Sequence, residues 1–91
     1  MKPYLSNIEK LAIENTDFRR VLYTAPHSQL VLQSLLQGEE IGAEHNIVNT
    51  GSKPMKLYTL YAPANHIDGR IHKTKNDAIV DAEDEAFGEQ A

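Results

Sequence analysis

The chain contains no cysteine. That excludes a disulfide framework, a thiolate nucleophile and a cysteine-type zinc site, and it agrees with a cytoplasmic setting. Basic residues are scarce, with 9 Lys and Arg against 13 Asp and Glu and a formal net charge of −4. Nucleic-acid phosphates are met by clustered Lys and Arg, so this balance argues against a nucleic-acid partner. No apolar run approaches the roughly 20 residues that span a bilayer. The opening MKPYLSNIEK lacks the apolar segment of a signal peptide. Neither a membrane nor a nucleic acid is expected as partner.

What is present is a globular composition, 41% hydrophobic and 24% charged, in 91 residues. That is one domain with a marginal core. NIEKLAIE (7–14) places Ile8, Leu11 and Ala12 at helical spacing behind Asn7, a candidate cap, and predicts a short helical turn. FRRVLYT (18–24), QLVLQSLL (29–36), NIVNT (46–50) and MKLYTLYA (55–62) read as strands separated by Gly and Pro turns. QLVLQSLL is apolar enough to be covered on both faces. In MKLYTLYA, Leu57, Thr59 and Tyr61 share one face, and Tyr58 and Leu60 the other.

After Pro63 the chain turns polar, with an Asp68-Gly69 turn signal, and Asn76 then reads as the cap of an acidic helix. Its acids, including Asp81, Glu83, Asp84 and Glu85, are spread around the helix, so it is expected to fray unless it docks. The expectation is an all-β fold with a short N-terminal helical turn and a helical tail. Residues 1–75 form the β domain and 76–91 the tail.

The histidines are His27, His45, His66 and His72. A transition metal needs three or four donors converging on one point, and one histidine does not make a site. Glu44 and His45 are adjacent and would point to opposite faces of a strand. His27 beside Ser28 is not a catalytic dyad, because neighbouring side chains diverge. His66 and His72 flank a loop that can carry a ligand, although a solvated surface role is the default. Arg70, Lys73 and Lys75 form a basic patch beside the acidic tail, which points to an intramolecular charge match.

The runs NTDFRRVLYTAPHSQLVLQSLLQGEEIG and HNIVNTGSKPMKLYTLYAPANHIDGRIHKTK resemble small single-domain bacterial cupins. Gly42, His45 and Asn49 stand in the second cupin motif, G-x-x-H-x-x-x-N, with Glu40 at the place of its proline. The resemblance implies a β-jelly-roll barrel and makes His45 a metal ligand. It also implies that a central segment with the first-motif ligands is missing, because GEEIG leads almost directly into HNIVNTG. The fold implied is a partial or truncated jelly roll (double-stranded β-helix).

The function implied is a small-molecule- or metal-binding module without a complete metal site and with no catalytic residue assigned. A divalent transition metal enters only if the site is completed. The alternatives are a metal-dependent enzyme of the sugar-phosphate isomerase or dioxygenase kind, and a structural or oligomerisation protein. Strands deprived of partners recruit other strands, so a homo-oligomer, most simply a dimer paired through strands or sheets, is expected.

Overall fold

A computed structural model describes residues 7–41 and 47–90. Nine elements follow one another: α1 (Ile8–Glu14), β1 (Arg19–Thr24), β2 (Gln29–Leu35), β3 (Glu40–Ile41), β4 (Ile47–Val48), β5 (Met55–Tyr61), β6 (Ile71–His72), α2 (Lys75–Ile79) and α3 (Ala82–Gln90). The main sheet has the order β5-β2-β1-β6, and β3 and β4 form a separate two-stranded sheet. The pairings within both sheets are antiparallel.

This corrects the all-β, truncated jelly-roll expectation. The described residues hold a mixed α/β arrangement of two sheets and three helices, with no closed barrel. Closure would require β5 and β6 to find further strands, but both are edges of the four-stranded sheet. The small sheet pairs only with itself, through Glu40 opposite Val48 and Ile41 opposite Ile47.

The acidic tail departs from expectation as well. It is two helices rather than one, and Thr74, not Asn76, caps the first. Thr74 and Asp77 form a reciprocal capping box, each side chain accepting from the other's backbone N–H. Asp81 then caps the second helix, its Oδ1 accepting from the Asp84 N–H at 3.1 Å. At the other end of the chain, Asn7 makes no side-chain cap. Asn15 ends α1 instead, its amide bonding Asp17 from both atoms.

β2 is the centre of the fold. All seven of its residues are buried, as the run of apolar letters led one to expect. The register sorts side chains onto two faces. Leu35, Gln33, Val31 and Gln29 lie opposite Met55, Leu57, Thr59 and Tyr61 of β5, and Gln33 and Val31 also face Arg19 and Val21 of β1. On the other face, Leu32 and Leu30 lie between β1 and β5 with Tyr58 and Leu60. There α1 packs across β2 and β5, and Lys56 Nζ donates to the Asn15 carbonyl.

The first face is apolar at one end and polar at the other. Phe18, Leu35 and Ile41 form a buried cluster, with Ile47, Met55, Leu57 and Ala78 packed against it. The small sheet and α2 thereby cover one end of this face. The turn into β3 uses Gly38 at a φ of 83°, a conformation open to glycine at little cost. The segment that follows β5 covers the opposite end, and the candidate site lies there.

Candidate functional site

Two glutamines four residues apart on β2 point to the same face, and both are buried, Gln29 at 1% and Gln33 at 0% exposure. Their circumstances are opposite. The Gln29 amide is fully used. Its Nε2 donates to Thr24 Oγ1 (2.9 Å) and to the His66 carbonyl (2.7 Å), while Oε1 accepts from the backbone N–H of His66 (3.0 Å) and Asn65 (3.2 Å). It stitches the loop after β5 onto the sheet. Gln33 has only a 3.5 Å contact from Thr59 Oγ1 to its Oε1, and its Nε2 has no partner.

The loop that Gln29 holds carries His66, whose ring meets Tyr61 edge-on at 5.3 Å. His66 Nδ1 lies 2.8 Å from Asp84 Oδ2, and Asp84 Oδ1 accepts from the Ile67 N–H at 2.7 Å. A carboxylate only accepts, so Nδ1 carries the proton and Nε2 is left as a lone pair. The loop turns back at Gly69, with a φ of 72°, and enters β6. There His72 Nε2 lies 2.9 Å from Asp81 Oδ2, which also takes Arg70 Nη1 at 2.8 Å. The other ring nitrogen of His72, Nδ1, is buried and has no partner.

Among the described residues, the buried side-chain atoms without a partner are Arg19 Nε, Gln33 Nε2, His66 Nε2 and His72 Nδ1. Three of these residues form one row across the sheet, since Arg19 stands opposite Gln33 on one side and His72 on the other. His66 joins them through space. Burial holds its imidazole below the ordinary value of 6.5 against the opposing pull of Asp84, and the charge of Arg19 adds to the lowering. Arg19 is itself lowered by burial, with Tyr61 and Asp84 acting the other way. It stacks over the Phe18 ring at 5.2 Å and makes no ion pair among the described residues. Asp81 is held below its ordinary 3.8, chiefly by its bond from His72.

Leaving a buried polar atom without a partner costs on the order of 1–3 kcal/mol. A small domain does not carry four such atoms in one neighbourhood for the sake of its fold. The arrangement presents a cationic N–H, an amide N–H, the Nε2 lone pair of His66 and the unpartnered Nδ1 of His72, each ring fixed from behind by a carboxylate. Thr59 and Tyr61 beside it on β5 are only half-buried.

The sequence-based candidates fare unevenly. His45, expected as a metal ligand, lies outside the described residues, as do Gly42 and Glu44. Asn49 of the same motif is buried and serves the turn, with Nδ2 donating to the Leu35 and Lys53 carbonyls and Oδ1 accepting from the Gly51 N–H. Glu40 and His27 are exposed. His66 and His72, expected in solvent, are buried. Arg70 does pair with the tail, through Asp81 and, at 3.7 Å, Glu83. Among the described residues, no group of three His, Cys, Asp or Glu side chains can hold a metal ion. Arg19, Gln29 and Gln33 were not singled out from sequence, although two buried-strand glutamines at i and i+4 within QLVLQSLL were a usable signal.

Fold and site together define a small mixed α/β protein with a buried polar site on one face of an antiparallel sheet. No protein-family model matches the chain. It belongs to the family of the Bacillus subtilis uncharacterized protein YrkC, with which it is 33% identical over an alignment covering 91% of this chain and 69% of YrkC. It is also similar to the uncharacterized protein L612 of Acanthamoeba polyphaga mimivirus, 28% identical over 75% of this chain and 70% of that one. The crystal structure of BH2720 from Bacillus halodurans superposes with a TM-score of 0.75 at 28% identity, covering 86% of this chain and 94% of the other. The YrkC alignment is 129 residues long, so a chain of 91 leaves at least 38 positions of YrkC (129 less 91) without a counterpart here. YrkC therefore carries residues inside the shared region that this chain lacks.

Proposed function

We propose that the protein is a binding module for a small polar molecule, held on the sheet face at Arg19, Gln33, His66 and His72. The observation that carries this reading is the convergence of four unpartnered buried polar atoms around one cross-strand row. Binding sites are concave, largely apolar and furnished with a few polar groups that fix orientation. Here Phe18, Val31 and Leu57 supply apolar surface and the four polar groups supply direction. No catalytic step is assigned. The absence of cysteine supports a cytoplasmic setting, and among the described residues no helix is long and apolar enough to cross a membrane.

A screen of organic acids, polyols and amides against the isotopically labelled chain tests the reading by NMR. Responding compounds are expected to move the Arg19 Nε, Gln33 amide and imidazole resonances together. A silent screen, with ordered water on all four atoms in a crystal structure, would refute it.

Homo-oligomerisation fits the opposite face of the sheet. Tyr58 and Leu60 of β5 are 56% and 68% exposed there, with Tyr23 and Ile71 also exposed on that face. This is an apolar surface on and beside an edge strand. Sedimentation velocity should show a dimer that Leu60→Asp converts to monomer. A wild-type chain that stays monomeric at high micromolar concentration would exclude it.

A further inference from the structure

We propose that the ligand is a small hydroxycarboxylate, its carboxylate on Arg19 and Gln33 and its hydroxyl donating to His66. This rests on the binding reading above and names the chemistry of the same site.

The donor and acceptor character of each group follows from what already occupies its other side. Arg19 is always a donor and a cation, and its Nε–H is buried without a partner. Gln33 Nε2, opposite it in the register, adds a second N–H. Two adjacent N–H donors, one of them charged, match the two oxygens of a carboxylate. His66 has the reverse polarity. Asp84 fixes its proton on Nδ1 and burial disfavours a second one, so Nε2 is a bare nitrogen. A bare imidazole nitrogen accepts from a hydroxyl and repels a carboxylate oxygen.

A ligand with only a carboxylate leaves His66 Nε2 unpaired. A neutral diol leaves the Arg19 charge unpaired. The hydroxycarboxylate answers all of these groups, with the anion at β1 and β2 and the hydroxyl towards the loop holding His66. A metal dication on the two rings is disfavoured by the guanidinium of Arg19, whose charge already acts on His66.

Three matched probes separate the possibilities: lactate, propionate, which lacks the hydroxyl, and 1,2-propanediol, which lacks the carboxylate. Titrated into the full chain and read on the Arg19 Nε and imidazole nitrogens, lactate is expected to bind about tenfold or more tightly than either. Arg19→Met should remove the advantage over the diol, and His66→Phe the advantage over propionate. The wild-type comparison stands even if a variant fails to fold. Equal binding of lactate and propionate at the same resonances overturns the hydroxycarboxylate while leaving the binding site intact. No response to any of the three overturns it as well, and the broader screen then decides whether the site binds anything.

Discussion

Replacing Asp84 by alanine is expected to destabilise the protein by on the order of 1–3 kcal/mol, because one buried and one part-buried donor lose their acceptor and the buried one carries most of the cost. Those donors are His66 Nδ1 and the Ile67 N–H, and Asp84 is itself buried. The loop would keep its Gln29 attachment but lose its attachment to α3. Asp84→Asn retains one acceptor oxygen and should lose less. Chemical-denaturation midpoints at constant slope measure both variants. An alanine variant within 0.5 kcal/mol of wild type (roughly the scatter of neutral surface changes) would show that α3 does not brace the loop.

The burial of His66 predicts a pH dependence with a definite sign. Burial holds His66 below 6.5, so between its folded value and 6.5 the unfolded chain binds the extra proton. Stability is then fully present above 6.5 and is lost as pH falls through that window. Asp81 contributes at a different place. It is held below 3.8, so its contribution is present above 3.8 and is lost only on further acidification. Unfolding followed at pH 7.5 and pH 5 should show a decline that His66→Phe removes. An unchanged slope in that variant would assign the decline to another group.

The longer strands were legible because their pattern is local, whereas the two-residue β3 and β6 were not read as strands. QLVLQSLL and MKLYTLYA each state their period and their breakers, and the register then places Leu57, Thr59 and Tyr61 on one face as the alternation required. The tail was misread because Asn76 and Thr74 both look like caps in sequence. Only the reciprocal bond to Asp77 selects Thr74. The match of the acidic tail with Arg70 was legible, but nothing in the tail itself says that His72 and His66 stand behind Asp81 and Asp84. The site was hidden for the same reason. Its row joins residues 19, 33 and 72 across three strands, and that juxtaposition exists only once the strands have paired. Attention to His45 followed a motif, whereas the convergent groups lie on β1, β2, β6 and the loop after β5.

Replacing Gln33 by leucine is expected to raise stability by about 1–3 kcal/mol, the cost ordinarily attached to an unpaired buried amide. Gln33 is fully buried, its Nε2 has no partner, and its remaining contact to Thr59 is long. Leucine fills a similar volume between Leu57 and Arg19 without bringing a polar atom. For a domain of this size, the gain corresponds to a rise in Tm of roughly 4–8 °C per kcal/mol. Gln29 is the internal control. Four residues away on the same face, its amide makes four good bonds, so Gln29→Leu should destabilise by a comparable or larger amount. A stabilised Gln33→Leu that no longer binds lactate would show that Gln33 serves the ligand at the expense of the fold. A destabilised one would show that the Gln33 amide is satisfied in solution and belongs to the structure alone.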